Sequence, residues 1–139
     1  MTNTHSGLPL QGVRVIEFTH MVMGPTCGMI LADLGAEVIK VEPPGGDKTR
    51  QLPGLGVGFF RTFNRNKKSV VLDLQTPQGL TTAQELIGHC DVLIENFRPG
   101  LMDKLGLGSD ALRARFPRLI YVSHKGFLPG PYENRLALD

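Results

Sequence analysis

An α/β fold, a mostly parallel sheet flanked by helices, is what this sequence predicts, and three observations predict it. Short apolar runs rich in β-branched residues recur along the 139 residues, each bounded by turn formers. Between them lie stretches with helical spacing that open at Pro or Thr and close at Gly. The resulting order, β-α-β-β-α-β-α-β, is the one in which helices cross over a parallel sheet.

Each element follows from its own residues. Val13–Phe18 follows the Gln11-Gly12 turn and reads as the first strand. Pro25 suits the first position of a helix, Met29, Ile30, Leu31 and Leu34 supply its buried face, and Gly35 stops it. Glu37–Glu42 alternates and reads as the second strand. Residues 43–58 hold three prolines and five glycines and read as a long loop of the kind that carries function. Ser69–Leu74 is the third strand. Thr76 caps the next helix and Pro77 sits in its first turn, with the end near Gly88. Asp91–Glu95 is the fourth strand. A short helix over Leu101–Leu105 stops at Gly106, and Ser109 caps another over Asp110–Arg115, stopped by Pro117. Leu119–Ser123 is the fifth strand. Tyr132–Asp139 opens a helix-like pattern that is not completed, and no sixth strand follows. A fragment, a cleaved chain or a truncated reading frame is therefore expected.

Composition narrows the class. The length suits one domain, and 41% hydrophobic with 20% charged residues is ordinary for a soluble globular protein. A formal net charge of +2 gives no reason to expect a nucleic-acid partner. Met1–Gly7 has no apolar signal core, and the apolar region Met21–Ile39 is interrupted by Pro25, Asp33 and Glu37, so no membrane span is expected. Cys27 and Cys90 have no metal-type spacing and read as reduced, buried thiols of a cytoplasmic protein. No metal site is expected.

The segment Cys90–Gly100 carries the strongest functional signal. Its strand ends in Asn96, Phe97 and Arg98, and ligands of open α/β sheets bind beyond the carboxyl ends of strands. Arg98 suits phosphate because its planar fork donates two hydrogen bonds at once. Lys125-Gly126 follows the fifth strand in the same way, as a phosphate contact or as a solvated loop lysine. Asp73 stands at a strand end, as a helix cap or a ribose acceptor. The first loop, Thr19–Thr26, opens a helix but lacks the G-x-G-x-x-G and P-loop patterns, which argues against a nicotinamide dinucleotide or a P-loop nucleotide. His20 within it is either a ligand or base, or a partly buried histidine bonded to backbone. Arg61, Arg65, Lys67 and Lys68, interleaved with Phe59, Phe60 and Phe63, either grip a polyanion or form an amphipathic turn with the rings inside. There is no G-x-S-x-G, H-E-x-x-H or C-x-x-C, and no pairing among the 13 carboxylates is visible. The residues alone lead to an α/β domain that binds a phosphate-bearing small molecule.

Several stretches converge further. Leu10–Phe18, Gly24-Pro25, Asp33–Glu42, Gly46-Asp47, Asn64–Ser69, Leu72-Asp73-Leu74, Asp91–Gly100 and Lys125-Gly126-Phe127, in this order, resemble the class III CoA-transferase family, which includes formyl-CoA transferase, carnitine CoA-transferases and α-methylacyl-CoA racemase. The resemblance covers residues 8–139. It implies the N-terminal part of a Rossmann-like large domain that binds coenzyme A, in proteins that are interlocked homodimers, with the small domain and C-terminal part absent. It places the adenine and ribose near Leu72, Asp73, Leu74 and Gln75, and the phosphates near Arg98, Lys104 and Lys125, with Gly126 beside them. Asn96 and Phe97 line the same groove, and His20, Met21, Val22 and Met23 form the loop on the substrate side.

The resemblance also implies the chemistry: CoA moves from an acyl-CoA donor to a carboxylic acid through an aspartyl anhydride and a thioester. CoA is a substrate here and no permanently bound cofactor is implied. The nucleophilic aspartate of the family falls beyond the chain; Asp139 does not match it, so no catalytic residue is expected within these residues. Two alternatives accompany this reading, an α-methylacyl-CoA racemase and a truncated, non-catalytic CoA-binding module. The racemase histidine corresponds to Leu138, which cannot move a proton. Pro43 stands where some relatives carry an arginine against the nucleotide, and Val22 where some carry a glutamine over the acyl site.

Overall fold

The computed structural model describes residues 7–128, 130–133, 135 and 137. Leu138 and Asp139 lie outside the described residues, as does part of the helix-like segment 132–139.

Five parallel strands form one sheet in the order β3-β2-β1-β4-β5. They are β1 (Arg14–Phe18), β2 (Glu37–Glu42), β3 (Lys68–Val71), β4 (Val92–Glu95) and β5 (Ile120–Ser123). β1 is central: Ile16 lies beside Ile39 of β2 on one side and Leu93 of β4 on the other. The helices are α1 (Met23–Asp33), α2 (Phe59–Phe63), α3 (Pro77–Gly88), α4 (Leu101–Lys104) and α5 (Ser109–Arg115). The chain builds outward from β1 to β3, then returns to β4 on the opposite flank of β1. The carboxyl ends of β1 and β4 therefore border a topological switch point, where open α/β sheets bind their ligands.

A parallel sheet is covered on both faces, so strand residues of both parities are buried. Ile16, Phe18, Leu93 and Val41 pack with Ala83 and Ile87 of α3, Met102 of α4 and Leu112 of α5. Val15, Val38 and Ile94 pack on the other face with Ala32 and Ala36 at the end of α1. Glu17 shares that second face and is fully buried beneath α1. Gly28 is the helix residue above it, and a Cβ there would run into the Glu17 carboxylate and come within 3.1 Å of Lys67 Nζ. Gly28→Ala should accordingly cost about 1–3 kcal/mol, the usual penalty of overpacking, read as a shift of the urea midpoint at constant slope.

The expected elements all form, with four local differences. Ser109 is the first residue of α5 rather than its cap: Gly108 holds the cap position, with no side-chain bond to the helix end. α1 starts at Met23, two residues before Pro25, which is tolerated because first-turn amides have no intrahelical acceptor to lose. β3 ends at Val71 because Leu72 N makes the last ladder bond, to Glu42 O at 2.9 Å. Asp73 Oδ1 then accepts from Gln75 N at 3.0 Å and turns the chain into α3. The stretch 43–58 is an ordered connection rather than an open loop. It contains two 3-10 turns, Lys48–Gln51 and Gly54–Gly58. The first is capped by Asp47, whose Oδ1 accepts from Thr49 N at 2.9 Å and Thr49 Oγ1 at 2.7 Å.

Candidate functional site

A groove of about 410 Å³ opens above the carboxyl ends of β1 to β4. Phe18, Thr19, His20 and Met21 form its β1 side, and Val41 to Pro44 with Asp47 to Thr49 form its β2 side. Leu72, Asp73, Leu74 and Gln75 provide the wall after β3, and Phe97 closes it after β4. The structure thus gathers the Leu72–Gln75 turn, His20, Met21 and Phe97 from three separate segments into one concavity. Asp73 keeps Oδ2 without a hydrogen-bond partner among the described residues, while Oδ1 holds the turn.

Asn96, expected to line the groove with Phe97, instead joins the two loops at the switch point and lies outside the lining, because both ends of its amide are spent on the backbone of His20. Its Oδ1 accepts from His20 N at 3.0 Å and its Nδ2 donates to His20 O at 2.8 Å. Gly24 allows this approach, since a Cβ there would meet Thr19 at 2.8 Å and the Asn96 amide carbon at 3.0 Å. The His20 ring is exposed rather than partly buried, and it faces the Phe97 ring at 5.9 Å between centroids. Val22 and Met23 continue the loop into the first turn of α1.

The cations proposed for phosphate fall in different places. Arg98 is exposed on the turn after β4, and its guanidinium has no partner among the described residues. Lys125 is held by Glu95, with Nζ donating to Oε1 at 2.8 Å, to Oε2 at 3.0 Å and to Phe97 O at 2.7 Å. It lines a second crevice, of about 260 Å³, beyond β4 and β5 with Glu95, Asp103, Ser109, Arg113, Tyr121 and Ser123. The Asn96–Arg98 turn lies between groove and crevice. Lys104 is exposed on α4 and lines neither, and Gly126 is exposed just after Lys125.

Sequence reasoning missed the charged layer beneath these loops. Glu17, Lys40, Glu42, Asp47 and Glu95 are all buried. Lys67 Nζ donates to both oxygens of Glu17, at 2.8 and 3.0 Å, and to Pro25 O at 2.8 Å. Lys40 Nζ lies 2.9 Å from Asp47 Oδ2 and donates to Thr19 O at 2.6 Å. Burial pushes the Glu17 carboxyl above its ordinary range, against the pull of both lysines, and burial lowers Lys67. The available signal was chemical: an acid or lysine inside a parallel strand has no wet face and must find a partner.

The basic-aromatic cluster resolves into separate pairs. Lys67 bonds Glu17, Arg65 bonds Asp33, and Lys68 bonds Glu37. Phe59 and Phe63 meet edge to face at 5.7 Å. Arg50, 3.6 Å from the Phe60 centroid, is tied to Glu42. Neither alternative is met in full: three of the four cations are committed to carboxylates, Lys67 in the interior, and Phe59, Phe60 and Phe63 are only half-buried. Both cysteines are free thiols, half-buried rather than buried, and that burial still raises their pKa, Cys90 to about 11. Among the described residues no cluster of His, Cys, Asp or Glu could hold a metal ion, and no helix is long and apolar enough to cross a membrane.

Known proteins share this fold. The family model of CoA-transferase family III matches residues 10–139. A formyl-CoA:oxalate CoA-transferase of Bradyrhizobium sp. (strain ORS 278) is 48% identical over 130 residues, which cover 90% of this chain and 31% of that protein. A crystal structure of a hypothetical protein from Mycobacterium tuberculosis superimposes with a TM-score of 0.90 at 48% identity, covering 96% of this chain and 38% of the other. A CAIB/BAIF family protein from Brucella suis gives a TM-score of 0.86 at 41% identity, over 93% of this chain and 36% of that one. The chain spans about a third of the length of these relatives. With the match running over nearly all its residues, the chain belongs to CoA-transferase family III.

Proposed function

We propose that this chain is the N-terminal part of the CoA-binding large domain of a CoA-transferase, which moves coenzyme A from an acyl-CoA to a carboxylic acid. The observation that carries the reading is the groove at the switch point, where Leu72–Gln75, Phe97 and the His20–Met21 loop converge. The adenosine would lie against Leu72, Leu74 and Gln75, with the Asp73 carboxylate on the ribose. Arg98 would meet the phosphates, joined by Lys104 and by Lys125 next to Gly126. Phe97 would then flank the pantetheine, Asn96 would hold the His20 loop beside it, and His20 to Met23 would face the thioester.

The nucleophile belongs to residues outside this chain. An aspartate there would attack the thioester carbonyl and expel the CoA thiolate, leaving an aspartyl anhydride. The thiolate would return to the aspartyl carbonyl and release the donor acid, and the acceptor carboxylate would then take the acyl position through the same steps in reverse. Splitting one exchange between two poor partners into such steps is what a covalent nucleophile supplies. The same reading makes the whole protein a cytoplasmic, interlocked homodimer.

Formyl-CoA and oxalate, the pair named for the relatives, are the first substrates to test. The protein at its natural length should exchange CoA between a thioester and a free acid, followed by chromatography of the thioesters. No exchange with any of a panel of short acids would overturn the reading. Within it, Arg98→Ala should weaken CoA binding about tenfold by titration calorimetry, since a charge-assisted bond to phosphate is removed. Unchanged affinity would remove Arg98 from the phosphate site.

A further inference from the structure

The loop from Thr19 to Pro25 is gripped at three points by groups that do not line the groove. Lys40 Nζ donates to Thr19 O at 2.6 Å, the Asn96 amide bonds both His20 N and His20 O, and Lys67 Nζ donates to Pro25 O at 2.8 Å. Glu17 holds both ammonium groups, Lys67 at 2.8 Å and Lys40 at 3.7 Å. The side chains of Glu17, Lys40 and Lys67 are all at most 2% exposed. Between the grips Met21 takes a left-handed backbone, φ 63, which a residue with a side chain keeps only where its surroundings over-determine it.

We propose that Glu17, Lys40, Lys67 and Asn96 are positioning residues that fix the shape of the His20–Met23 rim. What the site accepts beside the CoA thioester is then set from beneath the loop as well as by the loop's own side chains. The loop-fixing half stands on these contacts alone; the selectivity half rests on the CoA-transferase reading. A buried charge layer suits the task because it is rigid: each ammonium has several acceptors converging on it and no water to exchange with.

The test uses the protein at its natural length. Glu17→Gln combined with Lys67→Met removes both charges, leaves Lys40 with Asp47, and changes no residue lining the groove. Amide exchange at His20–Met23 should rise about tenfold or more while exchange in the β-strands stays put. The affinity for free CoA should hold within about twofold, and the ratio of kcat/KM for a small and a bulky acyl-CoA should move about fivefold or more. Asn96→Asp keeps the acceptor for His20 N and loses the donor to His20 O. It should reproduce the faster loop exchange, and it decides the matter if the double variant does not fold. Unchanged loop exchange in a folded variant overturns the proposal, as does faster exchange with an unchanged acyl ratio. If the unmodified protein neither binds nor transfers CoA, the functional reading fails by itself, while the exchange data still decide whether these residues fix the loop.

Discussion

Lys67→Met should cost about 3–5 kcal/mol in urea unfolding, because it strands a buried carboxylate. Glu17 is fully buried, its two oxygens lie 2.8 and 3.0 Å from Lys67 Nζ, and the backbone of α1 at Gly28 covers it. Lys40 remains only as a weaker partner, at 3.7 Å and already engaged with Asp47 and Thr19 O. The double replacement Glu17→Gln with Lys67→Met should cost much less, since neither variant residue brings a charge into the site. The pH dependence gives a signature. Glu17 already titrates above its ordinary 4.5, first because of burial, and losing Lys67 raises it further. A carboxyl with a raised folded pKa binds protons more readily folded than unfolded, so its stability contribution is lost as pH rises. The deficit of Lys67→Met should therefore be smallest near pH 4.5 and grow toward neutrality. A deficit independent of pH would mean that lost packing, not the stranded charge, is what destabilises the variant.

Much of the fold was legible because its signals are local. The Thr76-Pro77 start of α3, the Gly35 stop of α1 and the apolar runs of β1, β2 and β4 each lie within a few residues. The strand-end rule was enough to nominate Asn96, Arg98 and Lys125, none of which lines the groove, and to raise Asp73 without deciding its role; the resemblance added Leu72, Leu74 and Gln75, which the fold brings to the groove with Asp73. The charged layer was not legible. In Glu37–Glu42 the alternation EVIKVE mimics a strand with one wet face, yet Lys40 and Glu42 are buried because helices and turns cover both faces. Their roles depend on partners remote in sequence: Lys67 is 50 residues from Glu17, and Lys125 is 30 from Glu95. Lys125, a proposed phosphate contact, is also ion-paired from below by Glu95, an acid of the neighbouring strand that the sequence reading did not connect to it. No local pattern encodes such pairs; they appear only once strand order is known.

Acid should undo the β2 corner of the groove before the rest of the sheet. Glu42 receives Arg50 Nε and Nη2 at 2.7 Å each, Ser69 Oγ at 2.7 Å and Asp47 N at 2.8 Å. Burial alone would raise its pKa, but these donors outweigh burial and hold it at about 2. Asp47 is lowered as well: burial acts against it, and the Thr49 amide and Lys40 prevail. A carboxyl with a depressed folded pKa contributes stability above its unfolded value of 4.5, and that contribution is lost as pH falls toward 2. For Glu42 the contribution is about 3 kcal/mol, from the span between the two values. Glu17 acts with the opposite sign, so the acid profile of the unmodified protein mixes both. Glu42→Gln separates them: it should lower stability at pH 7 by about 2–4 kcal/mol. It should also flatten the slope between pH 4.5 and 2, the window set by the ordinary and folded values of Glu42. Thermal melts of both proteins across that range make the comparison. Glu42 and Asp47 line the groove, so the corner that acid loosens is also a wall of the proposed CoA site. CoA affinity should then fall over the same interval and in step with the loss of Glu42 ionisation. A slope that persists in Glu42→Gln would move the acid-labile group elsewhere and leave this wall out of the unfolding.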